Sequence, residues 1–67
     1  MSDDANGYRV RIAEAQEGWS VAIEDPAGVV VMERECTDGS EARTFASTVR
    51  QHIYWLSSGK FREYYRI

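Results

Sequence analysis

Apolar and polar residues alternate at the start of the chain, where Tyr8, Val10 and Ile12 are separated by Arg9, Arg11 and Ala13. A period of two is the pattern of a strand with one buried face. It breaks at Glu14, which predicts the end of the strand, and Gln16-Glu17-Gly18 predicts a turn. Trp19, Val21 and Ile23 then alternate with Ser20, Ala22 and Glu24 as a second strand. Asp25-Pro26-Ala27-Gly28 is a turn sequence: proline has its φ already fixed for the second position, aspartate suits the first and glycine the fourth. The β-branched run Val29-Val30-Val31-Met32 predicts the return strand, with Val30 and Met32 opposite Ile23 and Val21, or one residue away if Gly28 makes a bulge.

The period changes after Thr37-Asp38-Gly39-Ser40. Ala42, Phe45, Ala46, Val49, Ile53 and Leu56 recur at helical spacing and form one apolar stripe, as in a surface helix with a single buried face. Ser40 is the expected N-cap, with Glu41 in the first turn, and Ser58-Gly59 is the expected stop. Phe61 to Ile67 is rich in aromatic residues and predicts a short fourth strand with Phe61, Tyr65 and Ile67 on one side. The expected class is α+β: a three-stranded antiparallel meander, one amphipathic helix packed across it, and a short C-terminal strand. Residues 1–6 are polar and aperiodic and predict a flexible tail; residues 7–67 form a single domain.

A chain of 67 residues lies near the lower limit for a single unaided core, so a homodimer is the simplest source of further stability. The one cysteine, Cys36, makes no disulfide within the chain, and with His52 it falls short of the roughly four ligands of a structural zinc site. No apolar run reaches the roughly 18 residues of a membrane span, and the acidic Met1-Ser2-Asp3-Asp4 start differs from a signal peptide, so the expected location is the cytoplasm. The formal charge of −3 differs from the strongly basic balance of proteins that coat nucleic acid.

Two family resemblances follow from these residues. Trp19-x-Val21-x-Ile23, Gly28-x-Val30-Val31 and Ser40-x-Ala42 resemble the YegP-like family of small bacterial domains across residues 8–53. Ala27 stands where that family often has asparagine, and the likeness implies a fold and no activity. Gly18-Trp19, Asp25-Pro26-Ala27-Gly28 and Glu41-Ala42 are similar to the N-terminal part of HicB-like antitoxins. There the stretch between turn and helix is a few residues shorter, and a proline takes the place of Glu24. The DNA-binding domain that usually follows in those antitoxins has no counterpart among these residues.

Candidate chemistry is sparse. Cys36 and His52 lack a third, orienting group at a meaningful spacing, so Cys36 reads as a small buried hydrophobe and His52 as a boundary residue of the helix. Glu14, Glu17, Glu24, Glu33 and Glu35 fall at outer strand positions or in turns, where no acid–base pair is predicted. The isolated glycines form no phosphate loop. No catalytic residue, metal or cofactor is expected. Tyr54 and Trp55 lie about 140° and 240° from Val49 on the helical wheel, off the apolar stripe. An exposed tryptophan beside a tyrosine is the composition of an interaction hot spot, unless the final segment folds back over Trp55. With Gln51, these residues make the expected partner-binding surface.

The expected function is therefore that of a small non-enzymatic interaction or regulatory domain of bacterial or phage type, homodimeric and acting through protein–protein contacts. The alternative is a nucleic-acid-binding or antitoxin-like module. If the first and last strands are neighbours, Arg9, Arg11, Arg62, Tyr64 and Arg66 share one open sheet face, the means by which such faces grip single strands. The plainer role for Arg9, Arg11 and Arg62 is to offset Glu24, Glu33 and Glu35 across strands.

Overall fold

The computed structural model describes residues 6–67. Strands β1 (Arg9–Ala15), β2 (Gly18–Glu24) and β3 (Val30–Cys36) form an antiparallel sheet in the order β1-β2-β3. Helices α1 (Gly39–Trp55) and α2 (Ser58–Tyr65) follow. The α+β class and the meander are as the alternation predicts. Tyr8, Val21, Ile23 and Cys36 supply the sheet's buried side chains, and Ala42, Ala46, Val49 and Ile53 meet them from α1. The expected tail of residues 1–6 lies almost wholly outside the described residues. Asn6 itself is fixed: its side chain accepts from the Tyr8 N–H at 3.0 Å and donates to the Leu56 carbonyl at 3.1 Å.

β1 runs through Glu14 to Ala15, one residue past the break in its alternation, because the turn is only Gln16-Glu17. The second hairpin shifts its register. Met32 lies opposite Ile23 and Arg34 opposite Val21, with an irregularity between Ile23 and Glu24 that leaves Val31 as the extra residue. Asp25 causes this. Its carbonyl accepts from the Gly28 N–H at 2.8 Å, and its carboxylate accepts from the N–H groups of Ala27 and Val29 at 2.9 Å each. Val29 is thereby held in the loop, its carbonyl accepting from the Asp25 N–H at 2.9 Å, Gly28 takes φ +90°, and strand pairing begins at Val30. The bulge places Arg34 on the helix side, where its guanidinium lies 4.8 Å from the centre of the Phe45 ring.

The N-cap of α1 is Asp38, not Ser40. The Asp38 carboxylate accepts from the Glu41 N–H at 2.8 Å, and the Glu41 carboxylate reaches back to the Thr37 N–H at 2.8 Å and the Thr37 hydroxyl at 2.7 Å. This reciprocal arrangement satisfies donors that a helix start leaves orphaned. Trp19 lies against the start of the helix because Gly39 has no side chain: a β-carbon there would stand 2.9 Å from the indole.

The expected fourth strand does not form. Residues 58–65 are helical, Ser57 caps them by accepting from the Lys60 N–H at 3.3 Å, and Gly59 lies within the first turn. The left-handed terminal position belongs to Arg66, with φ 58° and ψ 49°. Strand alternation would have put Glu63 on the same face as Phe61 and Tyr65. A helix brings Phe61 and Tyr65 together at a spacing of four and turns Glu63 outward. Phe61 is completely buried, in one core cluster with Tyr8, Ile23, Val49 and Ile53; Val21, Cys36, Ala42 and Ala46 form the other.

Candidate interaction surface

α1 ends at Leu56, which turns to extended backbone (φ −102°, ψ 141°) and donates its N–H to the His52 carbonyl at 2.8 Å. That abrupt end lets α2 fold back, and a chain of ring contacts fixes where it lands. Tyr8 touches Phe61 at 4.7 Å between centroids, Phe61 touches Tyr65 at 4.8 Å, and Tyr65 touches Tyr64 at 4.9 Å. His52 lies 4.5 Å from Tyr64 and 5.6 Å from Tyr65. Tilted pairs at these separations follow the ring quadrupoles. The His52 Nδ1 and the Tyr65 hydroxyl share a hydrogen bond of 2.6 Å. Burial, with a smaller contribution from Tyr64, pushes the Tyr65 phenol up to about 12, so it stays protonated across the physiological range.

The fold-back covers the His52 side of α1 and stops short of Trp55. Trp55 is 76% exposed, Tyr54 67% and Tyr64 62%. Gln51, also exposed, lies one turn before Trp55 on the same helix face. Trp55 follows His52 by three residues, and His52 carries Tyr64, so Trp55 and Tyr64 each neighbour the imidazole. Tyr54 lies on the other flank of α1, below Arg50 at a spacing of four.

The five residues expected to share a sheet face do not. Arg9 and Arg11 are exposed on β1, whereas Arg62, Tyr64 and Arg66 belong to α2 and its C-terminus, which pack with α1 rather than extend the sheet. Arg11 donates to the Glu24 carboxylate across the strands at 2.8 Å, the offsetting role. Cys36 lies beside Ala42 at the start of α1 and His52 ten residues further along it, a separation of roughly 15 Å at the helical rise. The two do not form a pair. Among the described residues, no group of three His, Cys, Asp or Glu is placed to hold a metal ion, and no helix is long and apolar enough to cross a membrane.

The ring cluster of His52, Tyr64 and Tyr65 was not anticipated from the sequence. Its signals were Glu63, which a strand would set on the face of Phe61 and Tyr65, and the capping serine Ser57. Charge is also divided between the layers. Residues 39–67 hold Arg43, Arg50, Lys60, Arg62 and Arg66 against Glu41 and Glu63, a net of +3. Residues 7–38 hold Arg9, Arg11 and Arg34 against Glu14, Glu17, Glu24, Asp25, Glu33, Glu35 and Asp38, a net of −4.

No family model, curated protein or solved structure matches the chain.

Proposed function

We propose that this chain is a small non-enzymatic interaction domain, homodimeric, that engages a protein partner through the aromatic end of its helical layer. The observation that carries the reading is the exposure of Trp55, at 76%, on a rigid helix, with Tyr64 exposed on α2 and Tyr54 exposed on the other flank of α1. Water contact with so much aromatic surface is unfavourable, and fixed aromatics lose little side-chain entropy when a partner covers them, which is why they dominate interface energetics. Gln51 supplies a hydrogen-bonding group at the rim. The Trp55→Ala variant tests it. The indole lies outside the core, so its melting temperature should stay close to wild type. Proteins retained by the immobilised wild-type domain should be lost from the variant. Equal retention of the same proteins by a folded variant would refute the surface.

The net charge of +3 over residues 39–67 supports a second reading, a single-stranded nucleic acid gripped by Arg62, Arg66, Tyr64 and Trp55. On that reading oligonucleotide affinity falls steeply with added salt. Binding that is undetectable at low ionic strength removes it.

A further inference from the structure

The two edges of the sheet, β1 and β3, are built differently. β3 carries the bulge and the charged run Glu33-Arg34-Glu35. Two-fold pairing of β3 about Glu33 sets Glu33 against itself. Pairing about Arg34 sets Arg34 against itself and Glu33 against Glu35. Bulges and edge charges are the means by which sheets prevent such pairing. β1, by contrast, is unbroken over seven residues and regular in every pair with β2. Its two-residue turn makes Ala15 and Gly18 the closing hydrogen-bonded pair. Bonded and non-bonded pairs alternate from there, so Val10, Ile12 and Glu14 direct their N–H and C=O groups away from β2.

We propose that this edge is a homodimer seam, in which a second copy of the chain pairs antiparallel along β1 about a two-fold axis at Ile12. The proposal rests on the self-association part of the reading above and names its surface. At this register Ile12 meets the partner's Ile12 and Val10 meets the partner's Glu14, so the outward backbone groups bond in pairs. On the open face Arg11 meets the partner's Ala13 and Arg9 meets the partner's Ala15. Each arginine lies beside a small side chain, and no like charges are opposed between the paired strands. Moving the axis one residue back would set Arg11 against the partner's Arg11, and one residue forward would set Ile12 against the partner's Glu14.

α1 fits the same axis. It touches β1 most and β3 least, so it rides over the β1–β2 seam. Strands roughly 4.8 Å apart put that seam about 5 Å from the axis and the two α1 helices about 10 Å apart, the distance of packed helices. Phe45 faces Arg34 of β3, and His52 faces α2. The opposite flank, with Arg43, Ser47, Arg50 and Tyr54, is therefore turned toward the axis, whereas Trp55 is turned away from it. Val10 packs against both core clusters, and Ile12 only against the one that holds Ala42 and Ala46. Arg50 thus lies at the level of Val10, where the partner's Glu14 crosses. Both residues are exposed in the single chain, and their charges are opposite.

Sedimentation equilibrium over a dilution series tests the seam with wild type, Glu14→Arg, Arg50→Glu and the double swap. The expected result is a wild-type dimer. Each single reversal should weaken it roughly tenfold or more, since every change occurs twice in a symmetric pair, and the double swap should restore most of the loss. Glu14→Pro, which deletes an outward N–H and no bond to β2, should weaken it as well. A dimer that neither the reversals nor the proline weakens places the contact on another face; that overturns the seam and leaves self-association standing. A wild type that stays monomeric at every concentration overturns both.

Discussion

Phe61 is the side chain through which α2 is held to the rest of the domain, and Phe61→Ala should remove most of the domain's stability. The ring is fully buried, stacked between Tyr8 at 4.7 Å and Tyr65 at 4.8 Å, and packed in one cluster with Ile23, Val49 and Ile53. Truncating a buried phenylalanine costs about 3–5 kcal/mol in transfer and cavity terms. The two ring pairs are lost with it, so the upper half of that range applies. A domain of this length has roughly 3–10 kcal/mol in all. Urea unfolding, followed at one protein concentration by circular dichroism and tryptophan fluorescence, should show the variant's unfolding free energy lowered by about 4–5 kcal/mol. Phe61→Leu, which keeps most of the volume, should cost only about 1–2 kcal/mol. A loss below about 1 kcal/mol for the alanine variant would mean that residues 58–65 are a peripheral appendage, and the reasoning about the core would fail.

Gly28 has φ +90° and nothing within 4 Å of where a β-carbon would stand. Gly28→Ala therefore isolates backbone strain, at about 1 kcal/mol; an unchanged denaturation midpoint would contradict the turn geometry. The hydrogen bonds from Thr37 hold the Glu41 carboxyl below its ordinary value of 4.5. A depressed carboxyl contributes stability that is present above its unfolded value and lost as pH falls through the folded one. Melting temperatures measured below about pH 4.5 should thus fall less steeply in Glu41→Gln than in wild type, and identical slopes would refute the contribution. The Tyr65 phenol, raised from 10.0 to about 12, has the opposite sign: its contribution is complete below pH 10 and is lost as pH rises toward 12. Ultraviolet titration should show one late phenol that disappears in Tyr65→Phe, and a wild type whose phenols all ionise near 10 would refute it.

Most of the sheet and α1 was legible because their signals are periodic. Tyr8, Val10, Ile12, Val21 and Ile23 show the two-residue period of a one-sided sheet, and Ala42, Ala46, Val49 and Ile53 show the helical period; each set packs as its period implies. What the pattern missed depends on single polar atoms. The Asp25 carboxylate moved the β2–β3 register by holding Val29 in the loop. Asp38 took the cap from Ser40 because its carboxylate accepts from the Glu41 N–H. Residues 61–67 are too few for periodicity alone to separate helix from strand, and the deciding cue was Glu63, which only a helix turns outward. At the candidate surface, the wheel positions of Tyr54 and Trp55 were readable. Whether the chain's end would cover Trp55 depended on the direction of α2, which is set by the break at Leu56 and the seating of Phe61.

Site-directed photo-crosslinking in cells reads out whether a protein partner covers the aromatic end of the helical layer. A photoreactive residue in place of Trp55 should join the domain to a defined protein, and unlabelled wild-type domain should compete that product away. The same residue at Glu35, on the sheet, should give no such product. Crosslinking from position 55 no stronger than from position 35, or a product that wild-type domain does not compete away, would contradict the account.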